Sequence, residues 1–196
     1  MAENLRRSPL APLSARMHDE SRDSVSVTEI PFLAQINLRC GATDPAVRAA
    51  ARAALDMDLP TQPNTVARAG DRFVLWLGPD EWLVVDRDES RGGILGRLSA
   101  GLAPFHRSIV DLSANRTTIG LSGQRARAVL AKGCSLDLHP RAFASGRCAQ
   151  TLIAKAQVIL HQTGDAPSYR LFVRGSFARY VAAWLLDAMR EFRNTA

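Results

Sequence analysis

The chain has 196 residues, 46% hydrophobic and 22% charged, with a formal net charge of +6. That length and apolar share suffice for a packed core in one large domain or two small ones, while no apolar run approaches the roughly 20 residues of a membrane-spanning helix, so no membrane span is expected. Three cysteines, Cys40, Cys134 and Cys148, are odd in number and form no Cys-x-x-Cys pair, which argues against a disulfide framework or a zinc site and predicts buried free thiols in a reducing, cytoplasmic setting.

Residues 1–28 carry charges and small polar residues without periodicity and are expected to be a disordered tail. The pair Arg6-Arg7 has the look of an export signal but is followed by Met17-His18-Asp19-Glu20, with no apolar segment. Alternation of Phe32, Ala34, Ile36 and Leu38 predicts a strand over 30–39. Asp44-Pro45 then opens a helix, Asp44 as cap and Pro45 at the first helical position, with Val47, Ala50, Ala51, Ala54 and Leu55 on one face and Pro60 and Pro63 closing it. Strands over 72–77 and 82–86 form a hairpin around Gly78-Pro79-Asp80-Glu81, and Ile94, Leu95, Leu98 and Leu102 mark a short helix.

The second half repeats the order. A long strand is predicted over 108–121, then a helix capped by Ser122 and ended by Gly133 in a left-handed conformation. Strands follow over 150–162 and 169–173, and Ser176 caps a final helix with Phe177, Val181, Trp184, Leu185, Ala188 and Phe192 on one face. The class is α+β with antiparallel sheets and packed helices. The expected organisation is a tail over 1–28 and two strand-helix-strand-strand-helix halves over 29–104 and 105–196.

Charge divides the same way. Residues 1–96 hold 11 basic and 14 acidic side chains, whereas residues 97–180 hold 12 basic and only three acidic ones, Asp111, Asp137 and Asp165. The positive half could attract an anionic ligand, an acidic protein or RNA, but Tyr169 and Phe172, the aromatics nearest to a sheet-based RNA platform, are expected to point inward.

Self-sufficient chemistry is hard to assemble. There is no Gly-x-Ser-x-Gly elbow, and the four histidines, His18, His106, His139 and His161, lie in separate segments. The acidic clusters Asp80-Glu81 and Asp86-Arg87-Asp88-Glu89 read as turns, and Arg91-Gly92-Gly93-Ile94-Leu95-Gly96 lacks a strong preceding strand for a dinucleotide loop. No catalytic residue and no metal ligand is assigned, and no cofactor-binding residue can be named.

The ordered set Gly78-Pro79-Asp80-Glu81-Trp82-Leu83-Val84-Val85, Val110-Asp111-Leu112-Ser113, Leu121-Ser122-Gly123-Gln124-Arg125-Ala126 and Cys134-Ser135-Leu136-Asp137-Leu138-His139-Pro140 resembles the gamma subunit of heterotetrameric sarcosine oxidase over residues 30–192. That family is a divergent relative of the folate-binding aminomethyltransferase fold. The resemblance implies a noncatalytic subunit of a complex that oxidatively demethylates sarcosine to glycine with hydrogen peroxide, giving formaldehyde or, with tetrahydrofolate, methylenetetrahydrofolate. It implies alpha, beta and delta partner subunits, with FAD, FMN and NAD held mainly by alpha and beta and zinc by delta.

The transferases carry an acidic turn beside the folate, whereas Thr151 to His161 here contains no carboxylate, and the chain has room for only two of that fold's three domains. The alternative is a stand-alone folate-binding or aminomethyltransferase-like protein, with nucleic acid the least expected ligand. Asp111, Ser113, Gly123, Asp137 and Pro140 all have structural roles available to them, and Trp76, Trp82 and Trp184 serve either a subunit interface or the core.

Overall fold

The computed structural model describes residues 6–192. After a single turn at Ala11–Leu13 come α1 (Ser14–Glu20), β1 (Ser26–Ile30), β2 (Ala34–Cys40), α2 (Pro45–Leu55), β3 (Val66–Ala69), β4 (Arg72–Gly78), β5 (Glu81–Asp86) and α3 (Arg91–Gly101). The rest comprises β6 (Arg107–Asp111), β7 (Arg116–Ser122), α4 (Ala126–Ala131), β8 (Cys148–Ile153), β9 (Ala156–Gly164), β10 (Ser168–Arg174) and α5 (Gly175–Ala188). Two five-stranded antiparallel sheets result, ordered β3-β4-β5-β2-β6 and β8-β9-β10-β7-β1.

Three apolar clusters fix the layers. One joins α2 and α3 to the outer face of the first sheet, one joins α1, α4 and α5 to the outer face of the second, and a smaller one lies between the sheets. The hairpin strands β4 and β5 serve two of them at once. Val74, Trp82 and Val84 face the helices, while Phe73, Leu75, Leu83 and Val85 meet Cys148, Ile159 and Phe172 of the other sheet. A strand buried on both faces has no polar side to display, which is why Phe73 to Leu77 and Trp82 to Val85 are each apolar without interruption. Antiparallel sheets with packed helices were the expected class, and the element order repeats: strand, strand, helix, three strands, helix, twice.

The expected boundaries fare differently. β1 pairs with β7 from Ser26↔Ser122 to Ile30↔Thr118, and β6 pairs with β2 from Ile36↔Asp111 to Cys40↔Arg107. The first strand of each repeat therefore completes the sheet of the other, and the sheets do not follow a division at 104/105. Nor are residues 6–28 a disordered tail: Leu10, Met17, Val25 and Val27 are buried in the second sheet's core, and Ser21 Oγ accepts from Val27 N at 3.0 Å. Four apolar anchors, too widely spaced to show a period, hold this segment. Residues 1–5 lie outside the described residues.

The predicted strand over 108–121 divides for a local reason. Asp111 Oδ1 accepts from Ser113 N at 2.9 Å and from Ser113 Oγ at 2.5 Å, and Ser113 Oγ in turn accepts from Gln35 N at 3.0 Å. This Asx-type turn sends β6 and β7 to different sheets. The strand over 30–39 also breaks, at Phe32 with φ 58°, and the one over 150–162 at Ala154 with φ 51°. Asp44 caps α2 through Ala46 N at 2.8 Å, as expected, but α2 ends with Asp56 in the left-handed region, ahead of Pro60 and Pro63.

Neither Ser122, which ends β7, nor Ser176, which lies inside α5, caps a helix. Gly133 is not left-handed among the positive-φ glycines; its missing Cβ makes room for Trp184, whose ring carbon would lie 2.4 Å away. Gly123, with φ 112°, does make the tight exit from β7, and a Cβ there would meet Ser24 O at 2.5 Å. On α5 the buried face is Ala178, Val181, Ala182, Leu185, Leu186 and Ala188, whereas Phe177 is 42% exposed. No helix among the described residues is long and apolar enough to cross a membrane.

Trp82 is 1% exposed, and its indole Nε1 donates to Pro60 O at 2.8 Å, tying the loop after α2 to the sheet. Trp76 and Trp184 are partly buried against the two helix-facing cores. Replacing Trp82 by Ala should lower unfolding free energy by about 3–5 kcal/mol in urea titration, through the cavity and the orphaned carbonyl. A loss under 1 kcal/mol would show that the residue is not a core anchor.

His161, at 2% exposure, faces the other sheet and stands edge-on to the Phe73 ring with centroids 5.4 Å apart. Its Nδ1 is buried without a partner in the described chain. Burial first, then the charges of Arg170 and Arg68, press its pKa down from 6.5 to about 4. Above pH 6.5 both folded and unfolded rings are neutral. Below it the unfolded chain takes up a proton that the folded chain refuses until about pH 4, so stability falls with falling pH across that window, by up to about 3 kcal/mol. His161→Gln should flatten the pH dependence of unfolding between pH 6.5 and 4, measured against the parent chain; an unchanged slope would refute the burial of a neutral ring.

Candidate functional site

The structure disperses the groups from which the sequence could have built an active site. His18, His106 and His139 are exposed on α1, ahead of β6 and in the loop after α4, while His161 is sealed between the sheets. Glu81 accepts from Asn37 Nδ2 at 2.8 Å and from Arg39 Nη2 at 3.1 Å. Asp86 is held by Arg72 Nε at 2.7 Å, and Asp88 is hydrogen-bonded to Arg6, which keeps its carboxyl below the usual range. The acidic clusters therefore serve as ion-pair partners rather than as acid-base pairs. Asp137 Oδ1 accepts from His139 N at 2.9 Å, a turn contact next to Pro140.

Thiol chemistry is muted as well. Cys40 and Cys148 are buried, and desolvation pushes their pKa values up to about 11 and about 12, so neither supplies a thiolate near neutral pH. Cys134 is half-buried beside Thr151. Among the described residues no group of three or more His, Cys, Asp or Glu side chains could hold a metal ion. The helix after β2 does not fit a dinucleotide phosphate either, because the Asp44 carboxylate already occupies its N-terminus.

What the fold does create is a cleft of about 450 Å³ at the end of the second sheet that the first sheet leaves uncovered. Its floor is a row across four strands. Leu152 on β8 pairs with Gln157 on β9, and Arg174 on β10 pairs with Arg116 on β7; Gln150, Ile159 and Phe172 form the row behind. Ser135 and Leu136, from the loop after α4, close one side. Among the described residues no acidic side chain lines the cleft. Burial first and the neighbouring Arg174 charge second lower the pKa of Arg116, with Glu81 opposing. Within that row Leu152 is 47% exposed and Arg174 is exposed as well, whereas Arg116 is half-buried.

Sequence reasoning did not single out Arg116 or Arg174. Each sits at a strand end in the arginine-rich half, and only the β7–β10 register sets them opposite each other. Exposed apolar side chains also lie elsewhere, with Phe177 and Tyr180 one turn apart on α5 and Val110 on β6, an edge strand with a single neighbour. Tyr169 and Phe172, in contrast, are each 1% exposed and point inward as expected.

Comparison with known proteins agrees with this arrangement. Residues 39–191 match the model of the sarcosine oxidase, gamma subunit family. A sarcosine oxidase subunit gamma from Arthrobacter sp is 41% identical over 191 residues, covering 96% of this chain and 92% of the relative. A chain of heterotetrameric sarcosine oxidase from Corynebacterium sp. U-96, in a structure with pyrrole 2-carboxylate, superposes with a TM-score of 0.91 at 36% identity, over 98% of this chain and 99% of that one. Aminomethyltransferase T of the glycine cleavage system from Bartonella henselae shares the fold, with a TM-score of 0.64 at 16% identity, over 93% of this chain and 50% of that one. A match over nearly the whole of both chains, in sequence and in fold, places this protein in the sarcosine oxidase gamma subunit family.

Proposed function

We propose that the chain works as the noncatalytic gamma subunit of a cytoplasmic heterotetrameric sarcosine oxidase, assembled with alpha, beta and delta subunits. The complex converts sarcosine, oxygen and water into glycine, formaldehyde and hydrogen peroxide, or passes the one-carbon unit to tetrahydrofolate as methylenetetrahydrofolate. FAD, FMN and NAD belong to alpha and beta and zinc to delta, and this chain contributes surface rather than reacting groups. The observation that carries the reading is the end-to-end superposition on a chain of a heterotetrameric sarcosine oxidase at a TM-score of 0.91.

The local chemistry supports it. Of the acidic side chains of the hairpin region, Glu81, Asp86 and Asp88 are hydrogen-bonded to an arginine or asparagine, and Asp80 and Glu89 lie 3.8 and 3.9 Å from Arg39 and Arg87. The likeness to aminomethyltransferase T at 16% identity concerns the fold alone, so folate binding by this chain by itself is the secondary reading.

Co-expression with the other subunits tests the proposal. The chain alone should carry no visible flavin absorbance and no sarcosine-dependent peroxide production, and leaving it out should reduce recovery of the assembled oxidase at least tenfold. A yellow, sarcosine-oxidising preparation of the chain alone would overturn the reading, as would full assembly without it.

A further inference from the structure

The cleft beside β7 and β10 carries an electrostatic arrangement that the isolated chain does not resolve. Arg116 and Arg174 stand directly opposite each other in the β7–β10 register, the placement at which like charges destabilise a sheet. Arg116 Nη1 is buried without a hydrogen-bond partner in the described chain, and a buried donor left unmatched costs stability. Neither guanidinium forms an ion pair among the described residues. The acid whose field reaches Arg116, Glu81, already accepts from Asn37 and Arg39.

Two cations without an anion among the described residues, Arg116 half-buried and Arg174 exposed, in a 450 Å³ cleft are the makings of a receptor. We propose that this cleft binds a carboxylate with an apolar shoulder, Arg116 and Arg174 taking its oxygens, Ser135 and Gln157 supplying neutral donors, and Leu136 and Leu152 receiving the hydrocarbon part. The flat guanidinium fork suits a carboxylate, and the apolar side of the cleft favours such a ligand over the fully hydrated inorganic phosphate. The carboxylate comes either from a free small molecule or from an acidic side chain of a neighbouring subunit. The first source is independent of the gamma-subunit reading; the second rests on it.

The test uses the full chain with Arg116→Gln and Arg174→Gln. Thermal unfolding is followed with sodium benzoate as probe, against sodium chloride and inorganic phosphate at equal ionic strength, and each variant is then assayed for incorporation into the co-expressed oxidase. A rise in the parent's midpoint of several degrees with benzoate, lost in both variants, together with normal incorporation, identifies a free small carboxylate. At least tenfold poorer incorporation of both variants, with or without that rise, identifies a subunit's acidic side chain. In either case Arg116→Gln should leave the unliganded midpoint unchanged or higher, since it removes an unmatched charge; a purely structural arginine would lower it. The proposal fails if incorporation is unchanged and benzoate gives no rise, raises parent and variants alike, or stabilises less than phosphate. Failure of the parent chain itself to join the oxidase would sink the gamma-subunit reading and leave the benzoate comparison to decide this one.

Discussion

The reciprocal exchange of β1 and β6 governs the molecule. Each sheet needs a strand from the other repeat to reach five, so neither half holds a complete sheet by itself, and the inter-sheet cluster around Phe73, Leu75, Ile159 and Phe172 locks what the crossing strands have set in place. The turn at Asp111 and Ser113 is where this exchange is enforced. One serine hydroxyl answers to Asp111 on its own strand connection and to the Gln35 amide at the start of β2, so the two sheets are pinned at the point where the chain passes between them.

Much of this was legible in the sequence because it depends on local chemistry. The Asp44-Pro45 helix start, the hairpin around Gly78 and the Gly123 exit follow from residue type and spacing. Elements whose identity depends on a distant partner were not legible. Residues 6–28 look polar and aperiodic, yet Leu10, Met17, Val25 and Val27 reach a core assembled mostly after residue 116. The stretch over 108–121 reads as a single strand because its apolar residues continue through the turn, and only the side-chain bonds of Asp111 reveal the break. Gly133 shows the same limit from another side, since its lack of a side chain answers to the Trp184 ring and not to its own backbone.

The candidate site was less legible than the fold. Counting charges located the basic half, but a count cannot tell solvated arginines from a facing pair. That distinction depends on the β7–β10 register, which pairs residues 58 positions apart in the numbering, Arg116 and Arg174. The acidic clusters show the reverse case, looking chemically promising in sequence and proving to be tied up by Arg6, Arg39 and Arg72.

The exchanged strands also impose an order on biosynthesis. Growth from the N-terminus releases β1 first, yet its partner β7 begins only at Arg116. The first sheet can close as soon as Asp111 has emerged from the ribosome, while β1 and α1 wait beside it with apolar faces unmatched until the C-terminal strands arrive. The earliest translated segment is thus among the last to be placed, and a nascent chain halted just after Asp111 has left the ribosome would hold one finished sheet and one orphaned strand.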